Sequence, residues 1–474
     1  MDHDHRAFSR RQFLTRNAWA VGLALAACAS PTAPQQASAP GTAAQQPTTP
    51  PGGPTTAPAA AATPATQAAG ASPGVFNVWF SANWNDITDK AVGDTFVEWG
   101  ATKNVKVEWQ SIPGSPQQLA KESAALAAGQ PPELNNANRT YWYSQGEMAD
   151  LKQLVYKFKD LAGGMYEIGI SSNAVADGAV IGAPYAIDVW PAHWRVDLIA
   201  PATGGRFFET YEEMIQLGPK IQQPPRTYLY AMSMGHEGDH VNNMVTALWA
   251  YGGRISDEKG VPDIQNPANK AGIQTMVDLW KAKLIPPDTF AQTVTSWNNE
   301  TYQKGRGLVA INPATIMGWL LVNDQELGEK TGLSLPPKGT AGSFAEGASI
   351  AFNYYKKAPQ ANLAPSALEY FMQPEKLEAI SKSVEGRFVP VYRDHAKTEF
   401  WTTSKFAELK KIAEYGRIRE FPAAPVPWLS DVTDAKYVLS DMMQKIINDN
   451  LRIEDAQAWA QQQMLDAYNK NKPA

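Results

Sequence analysis

Val75-Phe76-Asn77-Val78-Trp79-Phe80, a helix-patterned run from Asp89 to Trp99, Val105-Lys106-Val107-Glu108-Trp109 and a second helical run from Pro116 to Ala128 together decide the fold. The first of these stretches is a short apolar strand. The third alternates with period two, the pattern of a strand with one face buried. Gly129 ends the second helix as a C-cap, and Pro131-Pro132 blocks its continuation. Strand and helix alternate, so the region reads as βαβ units on an open, mainly parallel sheet. Ligands of such sheets sit at the carboxyl ends of the strands.

Downstream the pattern stays mixed α/β. Val180-Ile181-Gly182-Ala183-Pro184-Tyr185 reads as a strand crossing between lobes. Helices are expected over Tyr211–Ile221, over Val241–Tyr251 with Gly252-Gly253 as its stop, and over Pro267–Leu284 with Asn266 as N-cap. Leu308-Val309-Ala310-Ile311 reads as a buried strand. Helices follow over Ala364–Met372 and Pro374–Ser383, and two amphipathic helices near Thr433–Asn448 and Arg452–Lys470 close the chain. No internal repeat is visible.

The first 74 residues have a different character. Ser9-Arg10-Arg11-Gln12-Phe13-Leu14 precedes an apolar run from Ala18 to Ala27, then Cys28. The run is about ten residues, where a membrane-spanning helix needs roughly 20, so 1–27 reads as a signal peptide. The paired arginines resemble a twin-arginine signal. Leu25-Ala26-Ala27-Cys28 resembles a lipoprotein box, with Cys28 as the lipidation site. Cys28 is the only cysteine of the 474 residues, so no intrachain disulfide is available. From Ala29 to Gly74 there is neither charge nor aromatic ring, and 28–74 reads as a lipidated cysteine followed by a disordered Ala/Pro/Thr/Gln stalk. These features place the remainder outside the cytoplasm, tethered to a membrane without spanning it.

Residues 75–474 suffice for two lobes with sizeable cores. The formal net charge is −5 and no Lys/Arg cluster follows the signal, which argues against nucleic-acid binding. The outlier is tryptophan, with 15 residues. Aromatic faces suit the C–H surfaces of sugar rings, although many of these rings are expected in the core.

The order of short motifs resembles the extracellular solute-binding proteins of ABC importers, in particular the sugar-binding family 1. The motifs are Ala-Ala-Leu-Ala-Ala-Gly-Gln-Pro-Pro-Glu-Leu ending at Leu134, Gly178–Tyr185, Trp194-Arg195-Val196-Asp197-Leu198, Leu248–Gly253, Lys283–Asp288 and Arg387–Val391. The resemblance implies an α/β, two-lobe periplasmic-binding-protein-like fold (type II), each lobe a mainly parallel sheet flanked by helices, with a hinge of three crossovers. It assigns 75–186 and 311–390 to lobe 1, and 187–310 and 391–474 to lobe 2.

Sugar capture needs flat rings and planar polar groups that engage paired hydroxyls. Asn83, Trp84 and Asn85 follow the first strand, at the cleft of this fold. Asn138 and Arg139 resemble the place where the family puts an acid and an arginine, with Tyr141 and Trp142 beside them. Asp188 matches a crossover carboxylate, and Trp190 follows it. Asn312 and Trp319 follow the second crossover. Trp428 resembles the family's final stacking aromatic, and Trp249 lies in a helix whose Gly-Gly end approaches the cleft.

Three other features are read as structural. Gly235–His240 lacks the His-Glu-x-x-His spacing of a zinc site. Tyr354-Tyr355, similar to the tyrosine pairs of iron-binding relatives, ends an apolar strand. The carboxylates are too scattered to propose a glycosidase pair. The expectation is therefore a non-enzymatic, monomeric receptor with no catalytic residue, cofactor or metal. It takes a small-molecule, carbohydrate ligand, docks on ABC permease subunits and reaches the membrane through its lipid anchor. The alternatives are the same role for a polyol phosphate, an amine or ferric ion, or a secreted polysaccharide-active enzyme.

Overall fold

The computed structural model describes residues 74–83, 85–112, 115–294 and 296–471. The signal peptide, Cys28 and stalk read from the sequence, and Trp84, lie outside these residues. In chain order the strands are β1 (Phe76–Ser81), β2 (Val107–Ile112), β3 (Leu134–Asn135), β4 (Ala183–Val189), β5 (Ala192–Arg195), β6 (Tyr228–Tyr230), β7 (Gly307–Ile311), β8 (Thr331–Ser334), β9 (Ala345–Tyr354), β10 (Val389–Pro390) and β11 (Gly416–Arg417).

They form two sheets. The first has the order β10-β4-β9-β3-β1-β2, with β11 also on β9; the second has the order β6-β7-β5-β8. β1 pairs in parallel with β2 and β3, the βαβ nucleus read from the sequence. The strands that carry the chain between lobes bring antiparallel pairings: β9 against β3 and β4, and β5 against β7 and β8. Both sheets are therefore mixed rather than mainly parallel, because a chain that crosses and returns must reverse direction.

β1 is buried on both faces, which is why its sequence is a continuous apolar run. Its buried polar residue, Asn77, is satisfied: the backbone N–H donates to the Glu133 carboxylate and the side chain donates to the Val75 carbonyl at 2.7 Å. β2 lies at the sheet edge and alternates, as its sequence does. Helix α1 (Asp86–Lys103) starts where the Asn85 side chain accepts from Thr88 N–H at 2.7 Å. It ends at Asn104, which takes a left-handed φ of 53°. It runs beyond the expected Asp89–Trp99, since polar end turns carry no apolar period. Asn85 is thus a helix cap. α2 (Ser115–Ala127) precedes Gly129, whose φ of +68° suits glycine at the stop.

α3 (Arg139–Ser144) follows β3 directly. In the second lobe the helix Tyr211–Ile221 is as read, capped by Thr210 on Glu213 N–H. Every residue of α4 (His240–Ala250) is buried. It packs on α5 (Asn269–Lys281) almost backbone to backbone: a Cβ on Gly272 would meet the Ala247 carbonyl oxygen at 2.8 Å. α5 starts later than expected, because the Asn266 side chain caps a preceding turn through Ala268 N–H instead of the helix itself. α6 (Thr315–Asn323), preceded by Ala314, sends Met317 toward the first core, which Ala314 also joins, while Ile316 and Leu320 pack with Tyr302. α7 (Val438–Ile447) and α8 (Ile453–Lys470) close the second lobe. Among the described residues no helix is long and apolar enough to cross a membrane.

Two large cores result. One gathers Phe76, Phe80, Phe96, Trp99, Phe352 and Phe371; the other Trp194, Tyr211, Trp249, Leu308, Trp428 and Met464. The pairings move two of the expected boundaries. β8 belongs to the second sheet, so the second crossover falls between Ser334 and Ala345 and not at residue 311. Trp401, Leu409 and Ile412 join the first core, and β11 joins β9, so the third crossover follows Arg417 and not residue 390. An amphipathic run such as 400–413 fits either core, and only the sheet registers decide.

Candidate ligand-binding cleft

Two adjoining cavities open between the lobes. The inner one, about 330 Å³, is lined from the first lobe by Asn138, Arg139 and Tyr141 and from the second by Arg419, Glu420 and Thr433. The outer one, about 410 Å³, is lined by Tyr143, Val175 and Ala176 on one side and by Gly260, Pro425 and Trp428 on the other. Thr140, Val426 and Pro427 face both.

The first-lobe wall is built where β1 and β3 end, as the strand order requires. Arg139 begins α3 just beyond β3 and folds back onto that edge. Its guanidinium donates to the carbonyls of Asn136 and Ala351, the latter at 2.8 Å, and to Asn173 Oδ1 at 2.9 Å. Its Nε is buried without a partner. Among the described residues no carboxylate pairs with it, and burial pulls its pKa down to about 10. Asn173 reaches Arg139 because Gly182 makes room: a Cβ there would lie 2.1 Å from Asn173 Oδ1. Behind Arg139 the Tyr185 hydroxyl donates to Asn83 Oδ1 at 2.9 Å, and Asn83 in turn donates to Asp89. The expected Asn83, Asn138 and Arg139 therefore do gather at one sheet edge. The Asn138 side chain, however, donates to the buried Glu122 at 3.1 Å, which turns its amide into the protein.

The second-lobe wall and the hinge share one charged cluster. Glu346, near the start of β9, accepts from Trp190 N–H through its carbonyl at 2.9 Å and from Arg419 Nε through its carboxylate at 2.6 Å. Residues of all three crossovers thus meet at Glu346. Arg419 also donates to Asn242 of α4 at 2.7 Å. Glu237 and Asp239, just ahead of α4, face the same guanidinium. Burial, then the Glu237 charge, pushes the Asp239 carboxyl up to about 8 against the pull of Arg419. Burial raises Glu420 to about 7.

Other expected site residues are placed elsewhere. Asp188 accepts both arms of the Arg387 guanidinium, so its carboxylate is held by a structural partner. Trp190 is half-buried against the second core. Trp249, at 1% exposure, is a core residue with no ring face to offer. Trp428, at 2% exposure, packs in the same core and donates to the Gly260 carbonyl at 2.8 Å, leaving little more than an edge toward the outer cavity. Asn312 is buried and donates to Asn298 Oδ1 at 3.0 Å and to Asn299. Trp319 is exposed on α6 and lines neither cavity. The loop at 235–240 is anchored internally, His236 pairing with Asp441 and stacking on Tyr437. Among the described residues no group of three or more His, Cys, Asp or Glu side chains is placed to hold a metal ion.

Residues not singled out from the sequence are Arg419, Glu420 and Val426. The available signal was an Arg-Glu pair heading the proline-rich stretch Phe421–Pro427, directly before Trp428.

No protein-family model matches the chain. Solved structures do. A sugar transporter from Arthrobacter chlorophenolicus A6 with bound laminaribiose superposes with a TM-score of 0.66 at 15% identity, over 83% of this chain and 99% of that one. The sugar-binding protein MalE of Xanthomonas citri gives 0.69 at 15% identity, over 83% and 98%. Maltose-bound MalE3 of T. maritima gives 0.63 at 18% identity, over 82% and 98%. The chain has the two-lobe fold of periplasmic binding proteins. At these identities the likeness is one of fold, and in that fold the inter-lobe cleft is where the two cavities lie.

Proposed function

We infer that this protein is the substrate-binding lipoprotein of an ABC importer, anchored through Cys28, which captures a sugar or oligosaccharide between its lobes and delivers it to the permease. It does no covalent chemistry. The observation that carries this reading is the inner cavity, where Arg139 of one lobe faces Arg419 and Glu420 of the other. Charged groups on opposing walls offer charge-assisted hydrogen bonds to hydroxyls through whatever donors and acceptors the protein leaves unused, and hinge closure would bring them onto one ring. The laminaribiose and maltose bound to two of the similar folds support a carbohydrate.

Calorimetry against a panel of mono- and oligosaccharides tests it. Micromolar or tighter binding of at least one sugar is expected; binding of none, with another solute retained in native mass spectrometry, overturns it. The anchor has its own test. A Cys28→Ser variant should leave the membrane fraction, and its retention there would end that part of the reading.

One observation favours a second ligand class. Glu237, Asp239, Glu346 and Glu420 surround a single Arg419, so the hinge side of the cleft holds more carboxylates than cations. An amine-bearing solute is the alternative, tested by including polyamines and amino sugars in the same panel.

A further inference from the structure

Three cavities meet at α3. Thr140 lines both the inner and the outer compartment of the cleft. Tyr141, the next residue, lines the inner compartment and also a side pocket of about 310 Å³ on the first lobe, walled by Leu126, Pro131, Trp142, Gln145 and Lys357. The outer compartment and the side pocket share no residue. The inner compartment is therefore the middle of a row, with the outer compartment at one end and the side pocket at the other. Thr140 and Tyr141 stand about 100° apart around the helix, so the row bends around α3.

Both end cavities combine aromatic rings with hydrogen-bonding groups that the protein leaves open. In the outer compartment the rings are those of Tyr143 and Tyr468, and the Thr140 hydroxyl and the Lys259 ammonium have no partner among the described residues. In the side pocket the Tyr141 ring is 46% exposed, beside the apolar side chains of Leu126 and Pro131. Lys357 donates to Glu147 at 2.9 Å and, with its side chain 75% exposed, keeps two N–H bonds for another acceptor. Gln145 donates through Nε2 to Ser144 and keeps its Oε1 open. A sugar ring answers to both halves of such a wall: its C–H faces lie on aromatic rings, and its hydroxyls both donate and accept. The three cavities, of about 410, 330 and 310 Å³, each lie at the lower end of the range for a small-ligand site, which suits one ring apiece.

We propose that the ligand is an oligosaccharide of at least three units bent around α3, with one unit in the outer compartment, one in the inner compartment and one in the side pocket beside Tyr141. This rests on the carbohydrate reading above and narrows it.

The test is calorimetry on the full chain with linear sugars of one to five units in glucan, mannan, xylan and galactan series. In at least one series the trisaccharide should bind about tenfold or more tighter than the disaccharide, the gain of one further ring face with its hydrogen bonds. Gln145 and Ala176 are exposed, so Gln145→Trp and Ala176→Trp should fold normally while filling the side pocket and the outer compartment respectively. Each should erase the gain from the third unit while a disaccharide still binds. A trisaccharide no tighter than its disaccharide in every series, or a gain that either variant preserves, overturns the inference and leaves the carbohydrate reading standing. Binding of no sugar of any length overturns both.

Discussion

The Arg419 guanidinium and the Glu346 carboxylate meet at 2.6 Å, one from the third crossover and one from the second. Arg419 continues to Asn242 of the second lobe, and the Glu346 backbone accepts from Trp190 of the first crossover. This ion pair therefore links residues of all three crossovers. The Glu346 side chain is 9% exposed, so removing its partner leaves a charge in a poorly hydrated place. Arg419→Met should cost about 3 kcal/mol of stability in denaturant unfolding. The double variant Glu346→Leu/Arg419→Met should recover most of that loss. A single-variant cost below about 1 kcal/mol would show that the pair does not hold the hinge.

Stability should fall as pH rises toward 8. Asp239 and Glu420 have folded pKa values of about 8 and about 7, above their unfolded values. The folded state then binds more protons than the unfolded one across that window. Each group lowers stability with rising pH, by at most about 1.4 kcal/mol per unit. The loss begins near the unfolded carboxylate pKa and is complete above the folded one. Thermal unfolding between pH 5 and 8.5 should show it, and Asp239→Asn should flatten the slope. An unchanged slope in that variant would mean that Asp239 does not titrate there.

Asp188 should behave as a structural carboxylate. Its bidentate pair with Arg387 lies at the end of β4, with the two side chains 24% and 11% exposed. Asp188→Asn should lower stability by about 2 kcal/mol and leave ligand affinity within threefold. A tenfold or greater loss of affinity at unchanged stability would return Asp188 to the binding site.

Gly182 is the support of Arg139 at one remove. A methyl there must displace Asn173 Oδ1, 2.1 Å away, and press on the Ala351 Cβ at 2.8 Å. Gly182→Ala should cost about 1–3 kcal/mol and weaken ligand binding at least tenfold, because Asn173 would no longer hold the guanidinium. Asn173→Ala in an otherwise native background should reproduce the affinity loss. Native affinity in both variants would remove Arg139 from the binding role.

The periodic parts of the fold were readable in the sequence because burial writes its own period. β1, the helix Tyr211–Ile221 and the buried α4 all follow from apolar spacing. The lobe boundaries were not, since 400–413 is amphipathic and packs on whichever core the pairing of β9 and β11 brings near. Asn83 and Arg139 follow strands β1 and β3, and topology alone sends such strand ends toward the cleft, yet of the two only Arg139 lines a cavity there. The tryptophans misled because type says nothing of side: Trp249 and Trp428 are the same residue to a composition count whether they face a ligand or Leu248 and Met443. Asp188 misled for a related reason, its partner Arg387 lying 199 positions away.

Val426 and Pro427 stand in the wall of both compartments and belong to one loop of one lobe. Any displacement of that loop therefore reshapes both chambers at once. Any change in that loop would alter residence time for the whole molecule, whichever part of the ligand it touches.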